Sequence, residues 1–462
     1  MSGGQVTGLQ RLTSSYGFKI VLLAVLILFL MIPVLMVRNL IDERKAYSRE
    51  AENGIMAAWG GPFILEGPVI RVPVVHREEI HTKTEKDGDK VEFHERSISL
   101  WIMPKKVDVK ASFQTEVKRR GIFSVPLFAG DVAITGSVDP GDALASLQPY
   151  QTPDLSKAEV VISLTSQKGI RKLLRARIGG ADLFFKPGRQ GFADGLNSND
   201  GIYAVFPLAP DGDTPFDIGL TIQGGEYMRV LPVAESTTVS LDADWPSPSF
   251  QGGFLPVKRE VSDKGFTASW EISYLSRAIP LFWTSDATPS WNDALFGVDL
   301  YKVLDVYGLC TRAAKYAMLF LFIPFLTLFF LEVFARKSIH PVQYLLAGFS
   351  NVVFYLLLLS LAEHIAFGAA YLASAATIMA MLVLYSRSLL DSWRRSASLG
   401  LVLALLYLIL YLTLNAEDWA LLIGSVATVT LTAVVMYITR RLDWNAGAKP
   451  PADGAGAAVV RG

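Results

Sequence analysis

Six runs in this chain are apolar for long enough to cross a bilayer, and they are unevenly placed. One lies near the N-terminus and five lie in the last third. The first, Phe18 to Val37, reads FKIVLLAVLILFLMIPVLMV, with Lys19 as its single charge. At about 1.5 Å per residue, a helix of that length spans the roughly 30 Å hydrocarbon core. A cleaved signal peptide would have an apolar core of about 7–15 residues followed by a small-x-small site. Met36-Val37-Arg38-Asn39-Leu40 offers no such site, so the run reads as an uncleaved signal anchor. The other spans are expected at 314–334, 342–362, 366–386, 399–415 and 420–438. Pro33 and Pro324 fall inside spans, where membrane helices tolerate proline.

The short segments on one side of these spans carry Arg11, Arg336, Lys337, Arg387, Arg394, Arg395, Arg440 and Arg441. Those on the other side carry Glu363-His364 and Glu417-Asp418. By the positive-inside rule both termini are expected in the cytoplasm. Trp393, Trp419 and Trp444 sit near span ends, where interfacial aromatics belong. The chain then divides into a cytoplasmic N-terminus (1–17), a first transmembrane helix (18–37), a periplasmic domain (38–313), a five-helix transmembrane bundle (314–438) and a cytoplasmic tail (439–462). The tail is rich in Gly, Ala and Pro and is expected to be disordered.

Within 38–313, residues 38–60 read as a helical stalk. Tyr47, Ala51, Ile55 and Trp59 recur every four residues, and Gly60-Gly61-Pro62 ends the run. The stripe suits docking against the domain that follows; a dimerising coiled coil is the alternative. From 61 onward the chain reads as mostly β and sandwich-like. Alternation marks strands at Val91–Trp101, Val107–Val117, Ala158–Leu164, Gly201–Pro207, Phe216–Ile222 and Thr237–Leu241. Val69 to Val74 reads as an edge strand because Pro73 interrupts it. Asp87-Gly88, Asp200-Gly201, Asp211-Gly212 and Gly224-Gly225 read as turns. Gly121–Phe128 and Gly169–Arg177 read as irregular or briefly helical.

The 43 Lys and Arg residues are balanced by 43 Asp and Glu. A neutral chain lacks the field that holds nucleic acid. The single cysteine, Cys310, excludes an intrachain disulfide and a thiolate metal cluster, and is expected to act as a small buried hydrophobe. No phosphate-binding glycine loop, H-E-x-x-H or G-x-S-x-G is present. Gly348-Phe349-Ser350-Asn351 faintly echoes an intramembrane serine protease motif but lacks the second glycine. His76, His81 and His94 could approach one another across a hairpin as metal ligands, or be solvated loop histidines. Glu332 and Arg336 are spaced to pair along a helix face. Glu363-His364, at the outer end of the third span, is an ionisable pair at a membrane boundary, where charge is costly. Adjacent residues on a helix do not face each other.

Two longer stretches resemble the CreD family of inner-membrane proteins, also called cell envelope integrity proteins. One runs Trp245-Pro246-Ser247-Pro248-Ser249-Phe250, then Gly253-Phe254-Leu255-Pro256 and Gly265 to Trp270. The other runs from Ile339-His340-Pro341-Val342-Gln343-Tyr344 through Phe354 to His364. Gly54 to Pro73 also looks like the start of that family's domain. The family pattern favours His where this chain has Ser247, so that position is assigned no role. The resemblance implies six transmembrane helices with a large periplasmic β domain between the first and second. It also implies a two-component-regulated part in envelope integrity and stress tolerance, including the response to colicins and β-lactams. It carries no catalytic residues.

No enzyme activity, cofactor or metal is therefore expected. The expected partners are the lipid bilayer and envelope or cell-wall proteins, without nucleic acid. A transporter or channel component is the alternative, followed by a membrane enzyme acting on cell-wall or lipid intermediates. The candidate functional residues are Glu363, His364, His340, Trp245, Pro246, Pro248 and Phe250. Orientation is open to direct test. Alkaline phosphatase fused after residue 210 should be active, and fused after residue 337 inactive. The reverse pattern would invert the topology.

Overall fold

The computed structural model describes residues 16–84, 88–188, 200–285, 294–300, 305–335, 337–416 and 419–440. The chain forms two compact units, one of Met1–Tyr47 with Asp305–Gly462 and the other of Ser48–Leu304. The expected tail, the Glu417-Asp418 loop and Arg336 lie outside the described residues.

The first unit is helical. Helix α1 spans Tyr16–Trp59 without interruption, and its first part holds the N-terminal apolar run. It is followed by α2 (Val306–Lys315), α3 (Ala317–Ala335), α4 (Pro341–Ala362), α5 (Phe367–Leu390), α6 (Trp393–Asn415) and α7 (Ala420–Thr439). All but α2 are long and apolar enough to cross a membrane, giving six candidate spans. The second span was expected from 314 but starts at Ala317. Tyr316 leaves helical geometry between α2 and α3, and its N–H returns to the Ala313 carbonyl. α6 starts at Trp393 rather than 399. Arg394 and Arg395 make its first turn polar, but they do not stop a helix.

Ile27, Leu30, Val34 and Ile41 form one stripe of α1 and share a buried cluster with residues of α2 to α6. At Gly348 the helices approach closely. A Cβ there would meet Leu30 Cδ1 at 2.3 Å and Phe325 Cζ at 2.6 Å. Close packing thus explains the glycine of the Gly348-Ser350 echo. Ser350 donates to the Ala347 carbonyl of its own helix. Thr327, Ser374 and Thr413 likewise donate to carbonyls four residues back, which satisfies hydroxyls that lipid cannot.

The second unit is a β-sandwich. In chain order its strands are β1 (Phe63–Thr84), β2 (Gly88–Ile102), β3 (Lys106–Arg120), β4 (Phe123–Val138), β5 (Gln151–Pro153) and β6 (Ala158–Leu164). They continue with β7 (Ile170–Ile178), β8 (Ala181–Asp182), β9 (Lys186–Pro187), β10 (Asp200–Phe206), β11 (Thr214–Gly225) and β12 (Tyr227–Leu231). The last are β13 (Ser236–Ala243), β14 (Pro248–Gly252), β15 (Lys258–Ser262), β16 (Gly265–Ser273), β17 (Phe282–Thr284) and β18 (Phe296–Leu300). One sheet runs β14-β18-β12-β1-β6-β10-β9, with β2, β5 and β17 attached through β1 and β2. The other runs β15-β16-β13-β3-β4-β11-β7-β8. Pairing is antiparallel except β1 with β12 and β3 with β13. Inward residues of both sheets, among them Val72, Ile162, Val109, Ile134 and Trp270, make one core. All six strands expected from alternation are present: β6 has the expected bounds, β10 is shifted by one residue, and β2, β3, β11 and β13 extend further at their ends.

Four expectations are corrected. Val69–Val74 is not an edge, since β1 is flanked by β2 on one side and by β6 and β5 on the other. Pro73 fits because the β6 pairing ends at Arg71 and the β5 pairing starts at Val74, which leaves its missing N–H beside a gap. Gly121–Phe128 is largely strand, with β4 pairing β3 from Arg120↔Phe123 onward. Pro126 lies one residue beyond the β11 ladder, which ends at Leu127↔Gly225. Residues 170–178 are the strand β7. Two register shifts against β11 blur the alternation there. Asp200-Gly201 and Gly224-Gly225 lie in strands rather than turns.

The end of α1, from Ser48 onward, belongs to this unit. Ile55, Met56 and Trp59 pack with Val125 and Leu127 of β4, and Lys118 Nζ lies 3.9 Å above the Trp59 ring. Tyr47, first of the sequence stripe, is half exposed. The Gly61 N–H closes the helix end on the Met56 carbonyl at 2.7 Å, with Gly60 at φ 119°. A Cβ at Gly60 would come within 2.9 Å of Gly169 Cα, whereas one at Gly61 meets nothing within 4 Å. Gly60→Ala should therefore cost about 2–3 kcal/mol through strain and clash, and Gly61→Ala about 1 kcal/mol through strain alone. Thermal unfolding of the full chain checks the order. Equal losses would show that the close approach at Gly60 is unimportant.

Candidate functional site

Two carboxylates organise the charged groups of the helical unit. Glu332, near the end of α3, is 4 % exposed. One of its oxygens accepts from Lys19 Nζ of α1 and from the Ile339 N–H at 3.2 Å. The other accepts from Tyr344 Oη of α4 at 2.6 Å. The sequence expectation paired Glu332 with Arg336, which lies outside the described residues; among the described residues its cation is Lys19, distant in sequence. A cavity of about 400 Å³ opens beside this cluster, lined by Phe18, Lys19, Leu22, Ser338, His340 and Tyr344 among others. His340 caps α4. Its Nδ1 accepts from the Val342 N–H, and Gln343 accepts from the His340 N–H in return.

Glu363 is the C-cap of α4, with only 5 % of its side chain exposed. It accepts from Arg44 Nη2 of α1 at 2.9 Å and from Tyr307 Oη of α2 at 3.1 Å. Nearby, Lys45 Nζ lies 3.6 Å from Asp305. Burial, reinforced by the Glu363 charge, raises the Tyr307 hydroxyl well above its ordinary range, so it stays a donor. His364 is exposed. The structure separates the two members of this sequence pair: Glu363 turns to Arg44 and Tyr307, whereas His364 lies on the exposed surface. Cys310, one turn along from Tyr307, is 1 % exposed, and burial pushes its thiol up to about 12. It is the inert buried hydrophobe the sequence suggested.

Between these ends the bundle core is aromatic. Phe320, Phe354, Tyr371 and Tyr407 pack with ring centroids 4.8–6.4 Å apart. Tyr371 Oη donates to the Tyr407 carbonyl at 2.6 Å. The Asn351 side chain donates to the Ala347 carbonyl at 3.0 Å. Asn351 Oδ1, Tyr355 Oη and Tyr407 Oη are buried without a partner among the described residues.

In the β unit, Trp245 is half-buried against the core, and its Nε1 donates to the Ser247 carbonyl at 3.1 Å. Pro246 is exposed, and Pro248 opens β14 at a sheet edge. Phe250 meets Phe266 and Trp270 edge-to-face at 5.7 and 5.9 Å. The aromatic residues of this stretch fill the core. His76 bonds Gln151 at 3.3 Å and stacks edge-on with Tyr150, and His94 is exposed. The His81 side chain lies outside the described residues. Among the described residues no three His, Cys, Asp or Glu side chains converge as for a metal.

Sequence reasoning missed a groove of about 630 Å³ on the outer face of the second sheet. It is lined by Lys110, Ser112, Ser240, Asp242, Arg259 and Thr267 among others. Strand alternation aims these residues away from the core. Ser112 Oγ donates to Asp242 at 2.9 Å. The only sequence signal for this face was the polar half of each alternating strand.

The Glu332 pair is testable by a double-mutant cycle. Lys19→Ala leaves a buried carboxylate without its cation and should cost on the order of 3 kcal/mol. Glu332→Gln in the same chain should recover part of that loss. Thermal unfolding in detergent measures both. Strictly additive losses would mean the two side chains are uncoupled.

The model of one protein family, inner membrane protein CreD, matches residues 15–445. Among curated proteins, the inner membrane protein CreD of Escherichia coli K12 is 33 % identical over 432 residues, covering 92 % of each chain. Similarity to solved structures is remote. An M1 zinc metallopeptidase from Deinococcus radiodurans aligns with 37 % of this chain and 38 % of its own, at 10 % identity and a TM-score of 0.20. A candidate nutrient-binding protein from Legionella pneumophila aligns with 47 % of this chain and 82 % of its own, at 9 % identity and a TM-score of 0.25. At such scores neither bears on fold or chemistry. Sequence match over nearly the whole length, together with six apolar helices enclosing a β-rich insertion, identifies the chain as a member of the CreD family of inner membrane proteins.

Proposed function

We propose that this protein supports cell-envelope integrity and stress tolerance by binding an envelope component through its β-sandwich, which lies on the periplasmic side, and that it performs no chemistry of its own. The colicin and β-lactam response and two-component control implied by the family resemblance belong to this reading. The positive-inside asymmetry of the short loops supports the orientation.

The groove on the outer face of the second sheet carries the binding part. Hydroxyls of Ser112, Ser240 and Thr267 stand there among the charges of Lys110, Asp242, Lys258 and Arg259. Such a surface offers donors and acceptors in rows at strand spacing, suited to a polar polymer or an extended chain. The charged groups of the helical unit, by contrast, are engaged in pairing helices: Glu332 with Lys19, and Glu363 with Arg44.

The test is complementation of a deletion strain scored by sensitivity to envelope stress. The full chain carrying Lys258→Glu with Arg259→Glu should insert at normal level and lose at least about tenfold in survival, as expected when charge-assisted contacts are reversed. Charge reversal at Lys172, outside the groove, should leave survival intact. Full rescue by the groove variant would remove the groove from this reading.

A further inference from the structure

We propose that the cavity between the start of α1 and the start of α4 binds one anionic phospholipid, its phosphate held by Lys19 and His340. This goes beyond the envelope-binding role of the β domain and rests only on the six helices crossing a bilayer.

Three observations carry it. The cavity is divided in chemistry. Phe18, Leu22, Leu23, Ile339 and Pro341 give it apolar walls, and the polar groups are Lys19, Ser338, His340 and Tyr344. Its volume of about 400 Å³ exceeds what an ion or a few waters fill, since a water takes roughly 30 Å³. It also lies at the ends of spans, where headgroups are found.

The donors are poised. An ammonium has three N–H groups. In Lys19 one goes to Glu332 and one reaches Ser338 Oγ at 3.5 Å, and the side chain keeps 24 % exposure. The third meets no partner among the described residues and can turn to a ligand. His340 Nδ1 accepts from the Val342 N–H, which fixes the ring proton on Nε2 and leaves that nitrogen a donor on an exposed ring.

Glu332 does not claim Lys19 outright. Its carboxylate also takes the Tyr344 hydroxyl and the Ile339 N–H. With three donors the carboxylate is stabilised enough that Lys19 can serve a second anion. Basic pockets between transmembrane helices suit acidic headgroups in this way. A phosphatidylethanolamine would bring its own ammonium beside Lys19 and His340, and so should bind less well.

Native mass spectrometry of the full chain in detergent tests this, with phosphatidylglycerol, phosphatidylethanolamine and inorganic phosphate as separate probes. Phosphatidylglycerol should be retained as one adduct at least about tenfold more tightly than phosphatidylethanolamine, with no adduct from inorganic phosphate at equal concentration. Leu22→Trp fills the cavity without touching the ion pair and should cut retention about tenfold. His340→Asn keeps a good helix cap but removes the Nε2 donor, and should cut it severalfold. Leu408→Trp, at an exposed position on α6, should change nothing. Equal retention of the two lipids, inorganic phosphate binding as well as lipid, or undiminished retention in both cavity variants would each overturn the proposal.

Discussion

The hydrocarbon core of a bilayer offers no hydrogen bonds, so a charged group near it gains most from a partner within the chain. The helical unit is built around that demand. α1 carries Lys19 near its start and Arg44 about 37 Å further along, at 1.5 Å per residue. Each meets an acid from the other end of the sequence, Glu332 for one and Glu363 for the other. Tyrosines finish the solvation: Tyr344 on the first acid, Tyr307 on the second. From Ile20 to Val37 α1 carries only apolar side chains, with Leu30 seated on Gly348. The ion pairs fix where α1 sits along the bundle, and the apolar stripe fixes which face it turns inward.

The β unit meets the opposite solvent. Strands of its second sheet are buried on one face and exposed on the other, so alternation sorts core from surface there, whereas β1 and β6 of the first sheet are buried on both faces along much of their length. The inner faces of the two sheets close on Trp270, Phe296 and the aliphatic rows of β1, β3, β6 and β11. The outer face of the second sheet keeps the hydroxyls and charges that the core cannot accept. Apolar side chains thus line both the core and the outer faces of the helical unit, but mainly the interior of the β unit.

Much of this was legible in the sequence, and the rest was hidden for identifiable reasons. The six spans follow from hydropathy because lipid imposes a length and a composition on any segment that crosses it. Six strands follow from alternation because their partners keep register. β7 was lost to two register shifts, and β1 was misplaced because Pro73 looks like an edge residue until the gap between β6 and β5 is known. The carboxylates were singled out, but their cations were not. Glu332 had a plausible neighbour four residues away, whereas Lys19 lies 313 positions distant. Pairing across such a distance leaves no trace in local spacing. His340 was flagged by resemblance alone; the structure makes it a helix cap and a wall of a cavity.

That separation also sets the order in which the molecule must be made. α1 enters the membrane first, and the whole β domain is translated before α3 and α4 exist. Throughout that interval neither Glu332 nor Glu363 is present for Lys19 and Arg44 to pair with. The sandwich can fold meanwhile, since its strands pair within 63–300. The helical unit is completed last, when Glu332 and then Glu363 arrive and the two waiting cations are claimed. A chain that stops before residue 332 holds every strand of the sandwich but neither of the acids that pair with α1.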